Sequence, residues 1–423
     1  MDGNYHDDVL VLGGGVIGLA CAHYLLKAGR GVRVVEQGTV GCGSSHGNCG
    51  TITPSHALPL AAPGVIAQAL RWMARADAPL YVRPRFDATL WRWLLAFAAH
   101  CNADHCRRAT VARASLLNAS RRLIQELVET EALDCEFAAS GLLYVFREAR
   151  AFETFQRNHE PLRELDIDWE VWSPARLSRE EPGLRPGLTG GVKFPGDARL
   201  RPDRYVAELA RVVRAAGGEI EENNPVTGFQ RDGDRVSATL TRRGPRRARE
   251  IILALGAWSP LIGRQLGLKL PIQPGKGYSI TYARPDIAPV HPLVLKEDSI
   301  CVTRWDSGLR LGSTMEFSGY DSRLNPTRLE ALVRGASRYL RQPEGGQRIE
   351  EWYGWRPMTS DDLPIIGRAP DLGNLMLATG HGMLGVTLSA VTGHLVADLL
   401  TGRDPIVDPA PSAPERFASD RPK

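Results

Sequence analysis

The feature that most constrains the fold is a glycine-rich turn near the start of the chain. Gly13, Gly15 and Gly18 follow an apolar stretch at residues 8–12 and open a second apolar stretch at residues 16–28. The first stretch has the length of a buried strand, and the second has the length of a helix. A strand, a glycine turn and a helix in this order predict the first unit of a parallel sheet that binds a dinucleotide.

Each glycine has its own physical role in this motif. Gly13 permits the tight turn, Gly15 lets a pyrophosphate approach the backbone, and Gly18 lets the helix pack closely on the strand. The N–H groups at the start of the helix and the positive end of its dipole favour a phosphate. Val16 and Ile17 are therefore included in the predicted binding site.

A carboxylate follows at the end of the second apolar strand, residues 32–36. Glu36 lies 18 residues after Gly18, where an acidic side chain can accept hydrogen bonds from ribose hydroxyls. Its neighbour Gln37 is included in the predicted site. An acid at this position argues against a 2′-phosphate, and therefore against NADP. The motif itself leaves FAD and NAD open.

Length and composition exclude several classes of protein. At about 100–200 residues per domain, 423 residues predict two or three domains. The net charge of +4 is too small to favour nucleic acid. No apolar run reaches the roughly 18 residues that span a bilayer, and the polar N-terminus predicts no signal peptide. Seven cysteines with no evident disulfide framework predict reduced thiols in the cytoplasm.

The order of predicted elements favours an α/β protein with two domains. Residues 272–316 alternate apolar and polar positions in short runs, which is typical of an antiparallel sheet. We therefore predict a Rossmann-like nucleotide-binding domain built from discontinuous segments, with an α+β substrate domain inserted between them. The predicted segments are 1–60, 189–265 and 349–410 for the first domain, 61–188 and 266–348 for the second, and 411–423 for an irregular tail.

A segment rich in glycine and serine carries a family resemblance. Residues 43–54 read GSSHGNCGTITP and resemble the S-x-x-N-x-G stretch of the D-amino acid oxidase-like family of FAD-dependent oxidoreductases. The resemblance runs through residues 9–417 and implies FAD as the cofactor. Related sarcosine oxidases attach FAD through a cysteine, and residues 354–367 contain none, so non-covalent FAD is expected. The other matching stretches are AAPGV at 61–65, KGYS at 276–279, RPMT at 356–359 and TGHG at 379–382.

The resemblance also implies contacts to the cofactor. Ser44, Ser45 and Asn48 would place small hydrogen-bonding groups around the pyrophosphate and ribityl chain, and Gly50 would leave room for the isoalloxazine ring. Val226 is either a backbone contact to adenine or a core residue. The remaining expected contacts are Thr51, Ile52, Gly256, Trp258, Gly380, Met383, Leu384 and Gly385.

A last helix is predicted from about Leu384 to Leu400. Its N-terminus would face the edge of the flavin that gains negative charge on reduction, and the helix dipole would stabilise that charge. His381, just before this helix, is either a hydrogen-bond donor to the flavin or a buried structural histidine.

Three residues form the predicted substrate site. Arg356 lies in a stretch similar to the family's G-x-R-P motif, whose arginine holds the substrate carboxylate; an ion pair with Asp361 or Asp362 is the alternative. Tyr278 would hydrogen-bond the same carboxylate or pack in the core. His56 would face the substrate amine.

The resemblance implies oxidative deamination of D-amino acids by an FAD-dependent dehydrogenase. A hydride would pass from Cα to flavin N5, and the imine would hydrolyse to a 2-oxo acid and ammonia. The electrons would go to a non-oxygen acceptor such as a quinone or an electron-transfer protein. The alternatives are a cyclic or N-methyl substrate (D-hydroxyproline, D-proline or sarcosine), a non-catalytic FAD subunit of a heteromeric dehydrogenase, and an NAD-linked enzyme.

Two further clusters bear on partners and location. His100, Cys101, His105 and Cys106 lack the spacing of a zinc site, so no metal is predicted. A cytoplasmic location is expected. Aromatic residues beside basic ones indicate a core or lid, or else a peripheral contact with the inner face of the cell membrane; they are Trp72, Trp91, Trp93 and Phe97.

Overall fold

The structure is a computed structural model that describes residues 5–73 and 80–420. Two large β-sheets carry the fold of these residues. The strands, in chain order, are β1 (Asp7–Leu12), β2 (Val32–Val35), β3 (Thr51–Ile52), β4 (Leu80–Val82), β5 (Leu142–Phe146), β6 (Glu170–Trp172), β7 (Gly190–Phe194), β8 (Ala198–Arg199), β9 (Glu219–Glu221), β10 (Val226–Asp232), β11 (Arg235–Thr241), β12 (Gly244–Arg246), β13 (Ala248–Leu253), β14 (Ile272–Tyr282), β15 (Leu293–Leu295), β16 (Ile300–Trp305), β17 (Gly308–Gly312), β18 (Met315–Phe317), β19 (Arg348–Thr359), β20 (Ile365–Arg368) and β21 (Leu375–Thr379).

Helices of two kinds connect these strands. The α-helices are α1 (Val16–Lys27), α2 (Val65–Met73), α3 (Ala88–His100), α4 (Ala103–Thr130), α5 (Ala149–His159), α6 (Pro174–Glu180), α7 (Pro202–Ala215), α8 (Ser259–Gly263), α9 (Pro326–Ala336) and α10 (Ser389–Thr401). The 3-10 helices are Pro54–Ala57, Glu160–Leu165, Gly256–Trp258, Arg264–Leu266, Ala410–Ser412 and Pro414–Asp420.

The first sheet is the predicted nucleotide-binding sheet. Its strand order is β20-β21-β13-β1-β2-β9, and all neighbours are parallel except β20 and β21. The central strand β1 is fully buried from Val9 to Leu12, as expected where helices cover both faces of a parallel sheet. Helix α1 packs against α7 and α10. The prediction of an α/β fold with a Rossmann-like unit is confirmed.

The second sheet is mixed and larger. Its order is β4-β18-β14-β17-β16-β15-β5-β7-β6, with β19 also paired to β14. The antiparallel pairing predicted within residues 272–316 is present between β14 and β17, β16 and β17, and β15 and β16. The long strands β14 and β19 pair from Ile272 opposite Thr359 to Tyr282 opposite Arg348. This pairing places Arg356 beside the middle of the sheet.

Several predicted boundaries change in the structure. Strands β7 and β19 lie in the ten-stranded sheet, although the predicted segments 189–265 and 349–410 gave them to the nucleotide-binding domain; the division into domains itself stays a prediction. The last helix begins at Ser389 rather than Leu384, because turns occupy residues 382–388. The tail contains two 3-10 helices, as prolines with a fixed φ allow. Residues 1–4 and 421–423 lie outside the described residues.

Substitutions at two glycines of the turn should separate packing from ligand contact. A Cβ on Gly18 would lie 1.9 Å from the carbonyl oxygen of Gly13, whereas a Cβ on Gly15 would meet nothing closer than Ser45 Oγ at 3.6 Å. We expect Gly18→Ala to lower the free energy of unfolding by about 1–3 kcal/mol. Gly15→Ala should change it by no more than about 0.5 kcal/mol. Chemical denaturation of the cofactor-free protein measures both, and equal losses would contradict the assignment of Gly18 to packing.

Candidate active site

One large cavity collects most of the predicted site residues. It has a volume of about 1940 Å³ and is lined by elements of both sheets. Pockets for a drug-sized ligand usually hold about 300–1,000 Å³, so this cavity has room for a dinucleotide and a second molecule. The predicted residues that line it are Gly13, Gly15, Val16, Ile17, Glu36, Gln37, Ser44, Ser45, Asn48, Thr51, His56, Val226, Gly256, Trp258, Tyr278, Arg356, His381, Met383, Leu384 and Gly385.

Four predicted contacts lie behind the cavity wall instead: Gly18, Gly50, Ile52 and Gly380 are not among its lining residues. Gly18 packs against the backbone of the turn. Gly50 has a φ of +70°, and a Cβ there would lie 2.0 Å from the carbonyl oxygen of Leu200. The reason for glycine at position 50 is therefore this close backbone approach, rather than the predicted space for a flavin ring.

The nucleotide end of the cavity is built around the start of α1. Gly13 has a φ of +109°, and a Cβ there would lie 2.6 Å from the carbonyl oxygen of Ala254. The N–H of Val16 donates to Ser45 Oγ at 3.2 Å, which ties the loop to the helix start. The first-turn N–H groups of a helix have no partner within the helix, so those of Ile17 and Gly18, which follow Val16, are left for a phosphate.

Glu36 is fixed at the end of β2 by the backbone. Its carboxylate oxygens accept hydrogen bonds from the N–H of Gly14 at 2.7 Å and from the N–H of Gly38 at 2.9 Å. The side chain is buried and lines the cavity. These bonds hold an acceptor near the turn, where a ribose hydroxyl of a dinucleotide would reach it.

Arg356 is the charged residue at the other end of the cavity. The sequence places it on β19 opposite Gly275 of β14. Its Nη1 donates to the carbonyl oxygen of Thr314 at 2.6 Å. A Cβ on Gly277 would lie 2.5 Å from the guanidinium, so the side chain packs flat over a residue that must be glycine.

The guanidinium has no ion pair among the described residues. Asp361 pairs with Arg416 at 2.7 Å and Asp362 pairs with Arg113 at 2.7 Å, which removes the structural alternative for Arg356. Burial lowers the pKa of Arg356 from its usual value. A partly buried cation without a carboxylate loses hydration that no opposite charge replaces, and a ligand carboxylate in the cavity would supply the missing partner.

Tyr278 is placed differently from the prediction. Its hydroxyl donates to the carboxylate of Glu316 at 3.1 Å, and the side chain is buried. Burial, followed by the neighbouring Glu316 charge, raises the pKa of Tyr278 well above its usual value. The hydroxyl therefore stays protonated and its one donor is already used. These contacts favour the alternative in which Tyr278 packs in the core over the one in which it hydrogen-bonds the substrate carboxylate.

His56 lines the cavity as a neutral imidazole. Its Nε2 lies 3.2 Å from the hydroxyl oxygen of Tyr144, and its Nδ1 lies 3.4 Å from Ser55 Oγ. Burial, helped by the positive charges of Arg113 and Lys296, lowers its pKa to about 3. His56 can exchange hydrogen bonds with a substrate but carries no charge at neutral pH.

His381 is also neutral and is held by a helix. Its Nε2 lies 2.9 Å from Thr392 Oγ1 on α10, and burial lowers its pKa to about 3. This contact matches the reading of a buried structural histidine, although the ring still lines the cavity. Helix α10 begins only at Ser389. Turns at residues 382–388 therefore separate His381 from the helix, so the predicted helix N-terminus does not directly follow His381.

The aromatic residues of α3, for which the sequence left open a core, a lid or a membrane contact, form part of the cavity wall. Trp93 donates from Nε1 to the carbonyl oxygen of Met358 at 3.0 Å and so fastens α3 to β19. Trp91 and Phe97 line the cavity from the same helix, while the side chain of Trp72 lies outside the described residues. Sequence reasoning did not predict that Cys49 and Lys296 line the cavity. Their only sequence signal is that Cys49 lies inside the predicted flavin loop.

Comparisons with known proteins identify the family. The family model described as "FAD dependent oxidoreductase" matches residues 8–399. D-amino acid dehydrogenase of Paramagnetospirillum magneticum is 37% identical over 420 residues, which cover 97% of this chain and 99% of that protein. D-amino acid dehydrogenase of Granulibacter bethesdensis is 34% identical over 418 residues, covering 97% and 99%.

The chain belongs to this family of FAD-dependent oxidoreductases.

Solved structures agree on the fold. Glycine oxidase from Geobacillus kaustophilus superposes with a TM-score of 0.79 at 24% identity, covering 96% of this chain and 97% of that one. L-proline dehydrogenase from P. horikoshii superposes with a TM-score of 0.74 at 19% identity, covering 99% and 100%. The predicted family resemblance and FAD as cofactor are thus confirmed.

The residues present fit the cofactor of the family. Gly15 leaves open space at the start of α1, Glu36 holds an acceptor at the end of β2, and the loop at 43–51 lines the space between them and Arg356. Trp258 and Gly256 close the cavity from the β13 side. Val226 lines it as well, which is compatible with the predicted adenine contact. Non-covalent attachment of FAD stays a prediction.

The hydrogen bonds between Asp197 and Ser55, the residue before His56, should make the free energy of unfolding depend on pH. Asp197 is buried and accepts hydrogen bonds from Ser55 N at 3.1 Å and Ser55 Oγ at 2.5 Å. Burial raises the pKa of Asp197 from 3.8 to about 7. Between these values the folded state holds a proton that the unfolded state releases, so this group's contribution to stability falls as the pH rises from about 4 to about 7.

We expect Asp197→Asn to remove that dependence while keeping an acceptor for Ser55. The free energy of unfolding of the natural protein minus that of the variant should decrease across this pH range and be flat above it. Urea denaturation at a series of pH values measures the difference, in which the contributions of the buried histidines cancel. A difference that rises with pH would show that Asp197 is ionised in the folded protein.

Proposed function

We propose that the chain is a D-amino acid dehydrogenase that converts D-amino acids to 2-oxo acids and ammonia. The observation that carries the proposal is the partly buried guanidinium of Arg356, which lines the cavity without a carboxylate partner among the described residues. An amino acid supplies such a carboxylate, and arginine binds carboxylates in a planar fork. The names of the relatives reported above support the D-configuration.

Arg356 would orient the substrate by its carboxylate. The Thr314 carbonyl and the Gly277 backbone fix the guanidinium, so a bound carboxylate also fixes the direction of the Cα substituents. Bound FAD supplies the acceptor for a hydride from Cα. The neutral His56 imidazole offers hydrogen bonds without a positive charge that would repel the amine.

The side-chain end of the cavity favours apolar groups. Met358 and Phe317 belong to a buried apolar cluster with α3, and Met315 packs against it. Apolar residues from four elements line the cavity here: Leu80, Val82, Trp91, Trp93, Leu94, Phe97, Met315, Phe317 and Met358. We therefore rank D-amino acids with apolar side chains first. The cyclic and N-methyl substrates are the alternative that a substrate panel decides.

Bleaching of the flavin tests the proposal directly. Under anaerobic conditions, D-amino acids should reduce the purified flavoprotein, while the L-enantiomers should leave its visible absorbance unchanged. An artificial dye acceptor should then restore the absorbance faster than oxygen does. Failure of every D-amino acid to bleach the isolated chain would overturn the proposal and favour a non-catalytic FAD subunit. Bleaching by sarcosine or D-proline alone would assign the alternative substrates.

Substitution of Arg356 should weaken substrate binding more than cofactor binding. Removing one partner of a hydrogen-bonded charge pair costs roughly 2–5 kcal/mol, so Arg356→Ala should raise KM for a D-amino acid by about 30-fold or more. FAD content, measured from the visible spectrum, should stay at that of the natural protein. Steady-state kinetics with a dye acceptor provide KM.

Tyr278→Phe is the matched control on the neighbouring strand. Its hydroxyl is bonded to Glu316 rather than free in the cavity, so KM should change by no more than about two-fold, which corresponds to roughly 0.4 kcal/mol. A rise in KM comparable to that of Arg356→Ala would show instead that the Tyr278 hydroxyl binds the substrate.

The proposed electron acceptor is apolar and reaches the cavity from a membrane surface. Ile66 and Leu70 of α2 and Trp91 of α3 line the cavity and are also exposed to solvent. Phe86 and Leu95 add exposed apolar surface nearby in the chain. No helix in the described ranges is long and apolar enough to cross a membrane. An apolar rim of this kind suits a quinone and a peripheral contact with the inner face of the cell membrane.

A further inference from the structure

Two cysteines from distant parts of the sequence meet on the wall of the cavity. Cys49 lies in the loop that follows β2, and Cys301 lies on β16 of the ten-stranded sheet. Both side chains line the cavity in which FAD binds. Both thiols are free in the structure. Neither was needed for the substrate site described above.

The sheet geometry brings the two sulfur atoms together. Cys301 pairs with Gly312 across β16 and β17, and residues that lie directly opposite each other point to the same face, with Cβ atoms about 4.5–5.5 Å apart. The sulfur of Cys49 lies 2.5 Å from the position that a Cβ of Gly312 would take. Cys49 thus fills the space that this glycine leaves on the face of the sheet beside Cys301.

A buried arginine fixes the loop that carries Cys49. Arg310 lies on β17, and its Nη1 donates to the carbonyl oxygens of His46 at 3.0 Å and Asn48 at 2.8 Å. Its Nε donates to Thr281 Oγ1 at 2.9 Å. The side chain is almost completely buried. The position of Cys49 against the sheet is therefore set by hydrogen bonds to its loop, rather than by chance packing.

The charges around the pair favour a reactive thiol. The neighbouring Cys301 thiol lowers the pKa of Cys49, and the guanidinium groups of Arg310 and Arg356 lower it further against the effect of burial. The pKa of Cys301 itself is raised by Cys49 and by burial. Cys21 and Cys135 show the contrast, because burial without such neighbours raises the pKa of each to about 12. Thiolates near cations are the ones that attack disulfides and exchange electrons.

We propose that Cys49 and Cys301 are a redox-active pair that exchanges two electrons with the bound flavin. In the oxidised pair, one S–S bond joins the sulfur atoms. Reduction takes up two electrons and two protons, breaks that bond and leaves two thiols. The electrons come from reduced FAD, which returns to its oxidised form. The enzyme thereby holds a second two-electron store beside the flavin.

The number of electrons that the holoenzyme accepts tests this directly. After mild oxidation with diamide and removal of the reagent, an anaerobic titration with dithionite is followed at the visible flavin band. The natural protein should need two dithionite equivalents per FAD for full bleaching. Cys49→Ser and Cys301→Ser should each need one. Cys101→Ser, which changes a thiol outside the cavity lining, should still need two.

Peptide mapping gives a readout that needs no variant. The oxidised natural protein should contain a Cys49–Cys301 disulfide and two fewer free thiols than the seven of the reduced protein. One dithionite equivalent per FAD together with seven free thiols after oxidation would overturn the proposal. Dithionite replaces the substrate here, so the result does not depend on whether D-amino acids reduce the flavin.

Discussion

The site depends on a partly buried guanidinium that packs against a glycine, where no side chain displaces it. Arg356 can lie flat over β14 because Gly277 has no Cβ, and the Thr314 carbonyl holds one of its nitrogens. Removing an arginine from water costs several kcal/mol, which one carbonyl contact offsets only in part. The long β14–β19 pairing holds the guanidinium in this position in the folded protein. A ligand carboxylate that paired with Arg356 would offset the rest of this lost hydration energy, which would favour its binding.

The nucleotide end was predictable because its determinants are local. The turn at Gly13–Gly18, helix α1 and Glu36 lie within one stretch of 24 residues. Gly13 and Gly18 have steric reasons that follow from the strand–turn–helix geometry, and Gly15 leaves space for a ligand. Gly50 shows the limit even here. Its neighbour is the carbonyl oxygen of Leu200, and no local pattern reveals a contact over such a separation.

The substrate end was less predictable because its contacts are distant in sequence. Tyr278 lines the cavity, but the partner of its hydroxyl, Glu316, decides what the hydroxyl can bind. His381 could be assigned only once Thr392 was seen beside it. Cys49 and Cys301 meet through a strand pairing that involves a third segment, at Gly312. For such residues the sequence shows which chemical groups are present, whereas the pairing of strands decides which of these groups come into contact.

The buried imidazoles also bear on the ionisation of the substrate. Desolvation lowers the pKa of His56 and of His381 to about 3, so this cavity disfavours a positive charge that has no partner. A substrate carboxylate that pairs with Arg356 leaves the substrate ammonium in that same environment. The physical effect that keeps the imidazoles neutral then also favours loss of a proton from the ammonium. A neutral amine is the form whose lone pair can support release of a hydride from Cα, so under the proposed function the desolvation that acts on the imidazoles would also prepare the substrate for oxidation.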